Sequence, residues 1–305
     1  MPMLQNMRKF SFVLIVAILS CACSVFCSSA ASEPTVVVEQ LIADGNIIGY
    51  QMVQPIKGEK SDSILLSMLD GPIALIQCGD DRVVYLDSKG MIKEFSVSNK
   101  NTIDLWSTDI NPIAEDLTGR FVFSNDGQVI YVGINTHPAE VEVNESNYVL
   151  KKFTREGNDR VLVSRSGKIY ALWQPDGNIV ELVTNEGLIR VDLQTGEVVP
   201  IRLIDPGKLS GLTLFKEGYG FFIDSRGYIE VRQGLLGSSL IRRNYDDGFE
   251  LAVDISSRSN AFLAIKTRSE PNIGHQLVET NLQTGHMHVV FEGESISTAC
   301  YLREN

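Results

Sequence analysis

One strand–turn–strand element occurs twice at a fixed distance, and that recurrence constrains the fold more than any other feature. Leu188-Ile189-Arg190-Val191-Asp192-Leu193-Gln194-Thr195-Gly196-Glu197-Val198-Val199 returns as Leu277-Val278-Glu279-Thr280-Asn281-Leu282-Gln283-Thr284-Gly285-His286-Met287-His288-Val289-Val290. The two glycines are 89 residues apart, close to two periods of about 40–45 residues, the length of a four-stranded propeller blade. Near the midpoint, residues 228–232 lead into a glycine turn at 234–237, and residues 91–106 read as the same unit earlier in the chain.

The rest of the chain beyond residue 34 speaks the same language. Short runs such as Arg82-Val83-Val84-Tyr85-Leu86 and Val129-Ile130-Tyr131-Val132 alternate with tight turns. Asp87-Ser88-Lys89-Gly90, Ser124-Asn125-Asp126-Gly127, Ser164-Arg165-Ser166-Gly167 and Asp224-Ser225-Arg226-Gly227 share one grammar. A short polar residue bonds the backbone two positions on, and a fourth-position glycine accepts positive φ. Helical periodicity is absent, so the chain reads as all-β. Segments starting near Ile73, Leu212 and Phe249 each give four strands, and residues 121–203 give eight or nine. The Ser164–Gly167 turn reads as too short for a crossing between blades. Residues 296–302 have no strands after them, and the hairpin 36–53 has no inner partner before it. Joining these ends completes a blade. The expectation is a β-propeller of about six blades over residues 32–305, with seven blades or a pair of β-sandwiches as the alternatives.

At the Asp192–Gly196 turn the chain resembles the bacterial envelope β-propeller repeat proteins, whose outer hairpins read apolar-x-x-x-Asp-Leu-x-Thr-Gly. The resemblance spans roughly residues 70–302 and implies a fold, not an activity. Quinone-dependent propeller enzymes continue this turn into a tryptophan-containing docking repeat. Neither copy here does so, a departure from that enzyme class.

The first 31 residues differ. Arg8 and Lys9, an apolar run from Phe10, and small residues Ser28, Ser29, Ala30 and Ala31 follow in the order of a secretory signal. Ile18-Leu19-Ser20-Cys21 resembles a lipobox, which would place a lipid on Cys21 and provide the only membrane attachment. Without residues 1–31 the chain carries 25 basic and 38 acidic side chains, a balance of −13. That surface repels polyphosphate, so no nucleic-acid partner is expected. Cys78 and Cys300 remain, enough for one bridge, which a core this large does not require.

Candidate sites are few. His286 and His288 flank Met287 and would share a strand face, with His275 on the neighbouring strand several pairs away. They read as surface histidines, and no metal or other cofactor is expected. Asn144-Glu145-Ser146 is a glycosylation sequon, and Asp80-Asp81 and Asp246-Asp247-Gly248 read as solvated turns. Phe215, Tyr219, Phe221, Phe222 and Tyr228 read as packing between blades. No nucleophile elbow or phosphate-cradling loop is present. The sequence therefore reads as an exported, non-catalytic binding or scaffold propeller, docking a protein partner. A hydrolase or lactonase with its site in the central channel is the alternative.

Overall fold

Each blade places its middle strands between two neighbours, so both faces must be apolar and the runs lose the alternation of a half-exposed strand. The computed structural model describes residues 33–110, 121–124, 129–136, 147–154, 156, 159–223, 228–244, 249–256, 258, 260–267 and 274–302. Its strands begin with β1 (Thr35–Ala43), β2 (Asn46–Pro55) and β3 (Ser63–Leu69). Blade 1 is β4 (Ile73–Cys78), β5 (Arg82–Asp87), β6 (Met91–Ser96) and β7 (Asn101–Ser107). Blade 2 is β8 (Phe121–Phe123), β9 (Val129–Thr136), β10 (Asn147–Thr154) and β11 (Asp159–Ser166). Blade 3 is β12 (Ile169–Asp176), β13 (Ile179–Thr184), β14 (Gly187–Asp192) and β15 (Val198–Leu203). Blade 4 is β16 (Leu212–Lys216), β17 (Tyr219–Ile223), β18 (Tyr228–Gln233) and β19 (Ser239–Asn244). Blade 5 is β20 (Phe249–Ser256), β21 (Ala261–Thr267), β22 (His275–Asn281) and β23 (Met287–Gly293). The last strand, β24 (Ile296–Tyr301), pairs with β1 to give a sixth sheet ordered β24-β1-β2-β3.

The propeller is therefore six-bladed and closed by its two ends. Val36 pairs with Cys300, Val37 with Ala299 and Val38 with Thr298. The inner strands β4, β8, β12, β16, β20 and β24 touch in sequence around the ring, with β24 returning to β4. Six apolar clusters fill the six seams, each drawing on two adjacent blades. Val37, Val53, Ile296 and Tyr301 of the closing blade meet Leu263, Ile265 and Leu277 of blade 5. On the other face Val36, Met52, Leu66 and Cys300 meet Val83, Tyr85 and Phe95 of blade 1. Adjacent residues thus serve opposite seams: Phe221 packs edge-on against Phe262 of blade 5, while Phe222 lies in the seam with blade 3. The disulfide Cys78–Cys300 joins inner strands β4 and β24 across a sequence separation of 222.

The two copies of the repeat fold alike, each as the turn between the third and fourth strands of its blade. Asp192 Oδ1 accepts from the backbone N–H of Gln194 and Thr195 and from the Thr195 hydroxyl. Asn281 Oδ1 does the same for Gln283 and Thr284. Gly196 and Gly285 close the turns at φ 76° and 68°. Nothing lies within 4 Å of a Cβ built on Gly196, so a side chain there costs only the left-handed backbone, about 1 kcal/mol. Gly196→Val should lower the melting temperature measurably in a thermal scan, and Gln194→Ala should lower it less. Equal shifts would contradict the turn assignment.

One expectation is corrected. The Ser164–Gly167 segment is a crossing between blades: β11 ends at Ser166 and the inner strand β12 starts at Ile169. Side-chain amides replace the longer loop that such a crossing ordinarily uses. Asn135, almost wholly buried on β9, accepts from Ile169 N at 2.8 Å and donates to Ile169 O at 3.1 Å. Asn185 Oδ1 accepts from Lys168 N at 3.0 Å. Gly167, at φ 114°, lets the chain pass beside the Asn185 amide.

The closing seam also holds a buried carboxylate. Glu39 on β1 accepts from Gln51 Nε2 at 3.0 Å, and burial, helped by the charge of Glu294, raises its pKa above the ordinary value of 4.5. A carboxyl raised on folding favours the native state below its unfolded pKa, and that contribution is lost as pH rises through the folded value. Glu39→Gln keeps an acceptor for Gln51 and removes the charge. It should raise the melting temperature at pH 7 and make no difference near pH 4. A destabilised variant at pH 7 would contradict this account.

Candidate functional site

The groups selected from sequence do not assemble into one centre. His275 Nδ1 accepts from Ile296 N at 2.9 Å, so it braces the start of β24. His288 lies beside the buried Glu279, 3.9 Å from its carboxylate, and burial and His286 lower its pKa. His286 precedes β23, whereas His275 pairs with Gly293 at the far end of the same hairpin. Among the described residues no three His, Cys, Asp or Glu side chains come together as a metal site. Asp81 clamps its own blade by accepting from Ser96 and Ser98, which lowers its pKa. Residues 1–31, Cys21 among them, lie outside the described residues, as do 144–146 and 246–248.

Polar chemistry on the inner strands is committed to structure. Asp254 of β20 accepts from Lys216 Nζ of β16 at 2.5 Å, from Ile255 N at 2.8 Å and from Tyr301 N of β24 at 2.9 Å. Its buried carboxylate stitches three consecutive inner strands together.

The outer rim is more informative. Every outer strand leaves one row of backbone groups without a ladder partner, a template for pairing with another chain unless charge or proline defends it. Five of the six are defended: β7 carries Asp104, β11 carries Asp159, Arg160 and Arg165, and β15 carries Pro200 and Arg202. Arg242 and Arg243 lie on β19, and His288 and Glu292 on β23. β3, Ser-Ile-Leu-Leu-Ser-Met-Leu, has neither charge nor proline. Its Ile64, Leu65 and Met68 are 46%, 48% and 57% exposed. Ile56 beside it is exposed too, as are Ile42, Ile47 and Ile48 at the tip of the β1–β2 hairpin. That tip turns on Asp44-Gly45, at φ 51° and 76°, the backbone that a two-residue hairpin turn demands.

A polar cleft of about 320 Å³, lined by Asp70, Asp87 and Asp104 and by Lys89 and Lys93, opens at the end of β3. Met68, Leu69 and Asp70 form one wall, and Tyr85, Asp87, Lys93 and Asp104 of blade 1 the other. Lys93 Nζ stands 3.5, 3.3 and 3.8 Å from Asp70, Asp87 and Asp104. Burial opposes its charge, but the hydrogen bond and charge of Asp87, with Tyr85 and Asp104, hold its pKa above the ordinary lysine value. Asp87 is fixed by Lys89 N and Met91 N, both at 2.9 Å. Sequence reasoning missed this region. The signal, an uncharged run at 63–69, was present, but only closure of the ring through β24 makes that run an outer edge.

No protein-family model matches the chain, and no curated protein does. Solved structures do. The chain is similar to a structure described as TolB from Agrobacterium tumefaciens, with 12% identity over 87% of this chain and 92% of that one and a TM-score of 0.53. It is similar to a Bacteroides caccae protein of unknown function, with 11% identity over 90% of this chain and 100% of that one and a TM-score of 0.50. An oligogalacturonate lyase in complex with manganese aligns over 83% of this chain and 77% of that one at 9% identity, with a TM-score of 0.46, too distant to carry an argument. At such identities the likeness is one of fold, and the chain shares the β-propeller architecture of TolB-like proteins.

Proposed function

We propose that the protein is an exported, non-catalytic propeller of the cell envelope or exterior that docks a protein partner on the outer edge of its closing blade. The observation that carries this reading is β3, an outer strand with exposed apolar side chains and no charge to defend it. Residues 1–31 are read as a cleaved secretory signal, with Cys21 as the site of a lipid anchor where the lipobox is used. The Cys78–Cys300 bridge supports export, because structural disulfides persist in oxidising compartments.

Two experiments test the reading. The mature protein should begin after residue 31, or at a lipidated Cys21, by intact mass; a species retaining Arg8 and Lys9 would overturn export. Chemical cross-linking in the native host should give one discrete adduct that the double variant Leu65→Lys with Met68→Lys abolishes and Ile201→Lys on β15 leaves intact. An adduct pattern indifferent to β3 would overturn docking at this edge. The channel-hydrolase alternative predicts a stoichiometric metal in the purified domain, which a metal assay reads directly.

A further inference from the structure

We propose that the occupant of this edge is an extended, apolar segment of the partner, flanked by basic residues and hydrogen-bonded to β3 as a fifth strand of the closing blade. The inference rests on the docking reading and specifies its mode. Register supplies the first argument. Ile64 pairs with Gln54 and shares the face of Met52, which packs toward blade 1. Leu65 pairs with Val53, and Met68 with Gln51, so both point toward the blade 5 side. The exposed apolar groups thus stand on both faces of one strand edge. A helix laid against the blade would cover one face only. An added strand covers both, because its own side chains alternate across the sheet while its backbone pairs with the open row of β3.

Charge supplies the second argument and selects the partner. The uncharged run is bracketed by exposed Asp62 and Asp70, and the Asp70 end opens on the cleft that also holds Asp87 and Asp104. A second copy of the chain fits badly. Antiparallel self-pairing centred on Leu66 sets Ile64 against Met68, and Asp62 against Asp70 at both ends, between two chains each carrying a balance of −13 without residues 1–31. Like charges facing each other across paired strands destabilise the pairing. Lysine or arginine on either side of an apolar segment reverses that sign, opposite Asp62 at one end and, at the other, Asp70, whose side chain is 79% exposed beside Lys93.

The test uses the full mature protein and four synthetic nonapeptides with alternating Val and Thr cores. One has arginine at both ends and one has glutamate. The other two are arginine-ended and N-methylated on the backbone, each along a different edge, so that one of them blocks strand pairing whichever edge is used. Fluorescence anisotropy at low salt should show the arginine-ended peptide binding at least tenfold more tightly than the glutamate-ended one, with the gap narrowing as salt rises. At least one N-methylated version should lose tenfold or more. Leu65→Lys with Met68→Lys should abolish binding, while Ile201→Lys preserves it. Equal affinity for the two charge types, indifference to both N-methylated versions, or no binding by any peptide would overturn the strand-addition mode. If β3-dependent cross-linking in cells persists in that case, docking at the edge stands and only its mode falls. The N-methylation comparison needs no protein variant, so it holds whatever the variant does to folding.

Discussion

Truncation after Gly293 should yield a protein that aggregates or fails to fold. The deletion removes β24, the inner strand of the closing blade, and with it Ile296, Ala299, Tyr301 and Leu302, each no more than 4% exposed. Burial of each larger apolar side chain contributes roughly 1.5–3 kcal/mol, against a total stability of about 5–15 kcal/mol. The loss does not stop there. Asp254 loses Tyr301 N, His275 loses Ile296 N, and β1 loses its partner along Thr35–Glu39. Two seams open at once, because β24 faces both blade 5 and blade 1. Deletion of residues 35–54 should have the same outcome. A soluble truncated protein with an unchanged melting profile would show that the ring closes elsewhere.

Loss of the Cys78–Cys300 bridge is the second large effect. The bridge closes a loop of 222 residues, long enough for the upper part of the usual range, about 2–5 kcal/mol, when the constraint acts on the unfolded chain. For a domain of this size that corresponds to a melting point lower by roughly 4–9 °C. Both cysteines are buried, so reduction needs opening of the seam or mild denaturant. Cys78→Ala with Cys300→Ala should reproduce the shift without reductant. Identical melting points for the oxidised protein and the double variant would mean that the β24–β1 ladder alone carries closure.

What could be read from sequence follows from where the physics is local. The clamp of Asp192 on Thr195, with glycine behind it, is written in five consecutive residues, and its second copy gives the blade period. Ring closure was legible because both chain ends carried strand signals without partners. The crossing at Gly167 was not, because Asn135 and Asn185, which make two residues sufficient, come from 34 and 17 positions away. Cys78 and Cys300 were the one pair available beyond residue 31, but whether they bridge was out of reach: only the ring brings their Cα atoms to 5.7 Å. The histidines at 286 and 288 looked like a presented pair, yet their role depends on neighbours such as Glu279. β3 shows the same limit from the other side. Its lack of charge was visible, but an uncharged strand is unremarkable inside a sheet and consequential only at an edge.

Amide hydrogen exchange of the isolated mature protein, read peptide by peptide, tests the account most directly. Residues 35–38 and 298–301 should exchange only through global unfolding, because they form the ladder that closes the ring. Residues 63–69 should exchange about half of their amides quickly, those on the open side of β3, and keep the half that pairs with β2. Full protection across 63–69 in the free protein would mean that the edge is already covered, and a docking surface there would be contradicted.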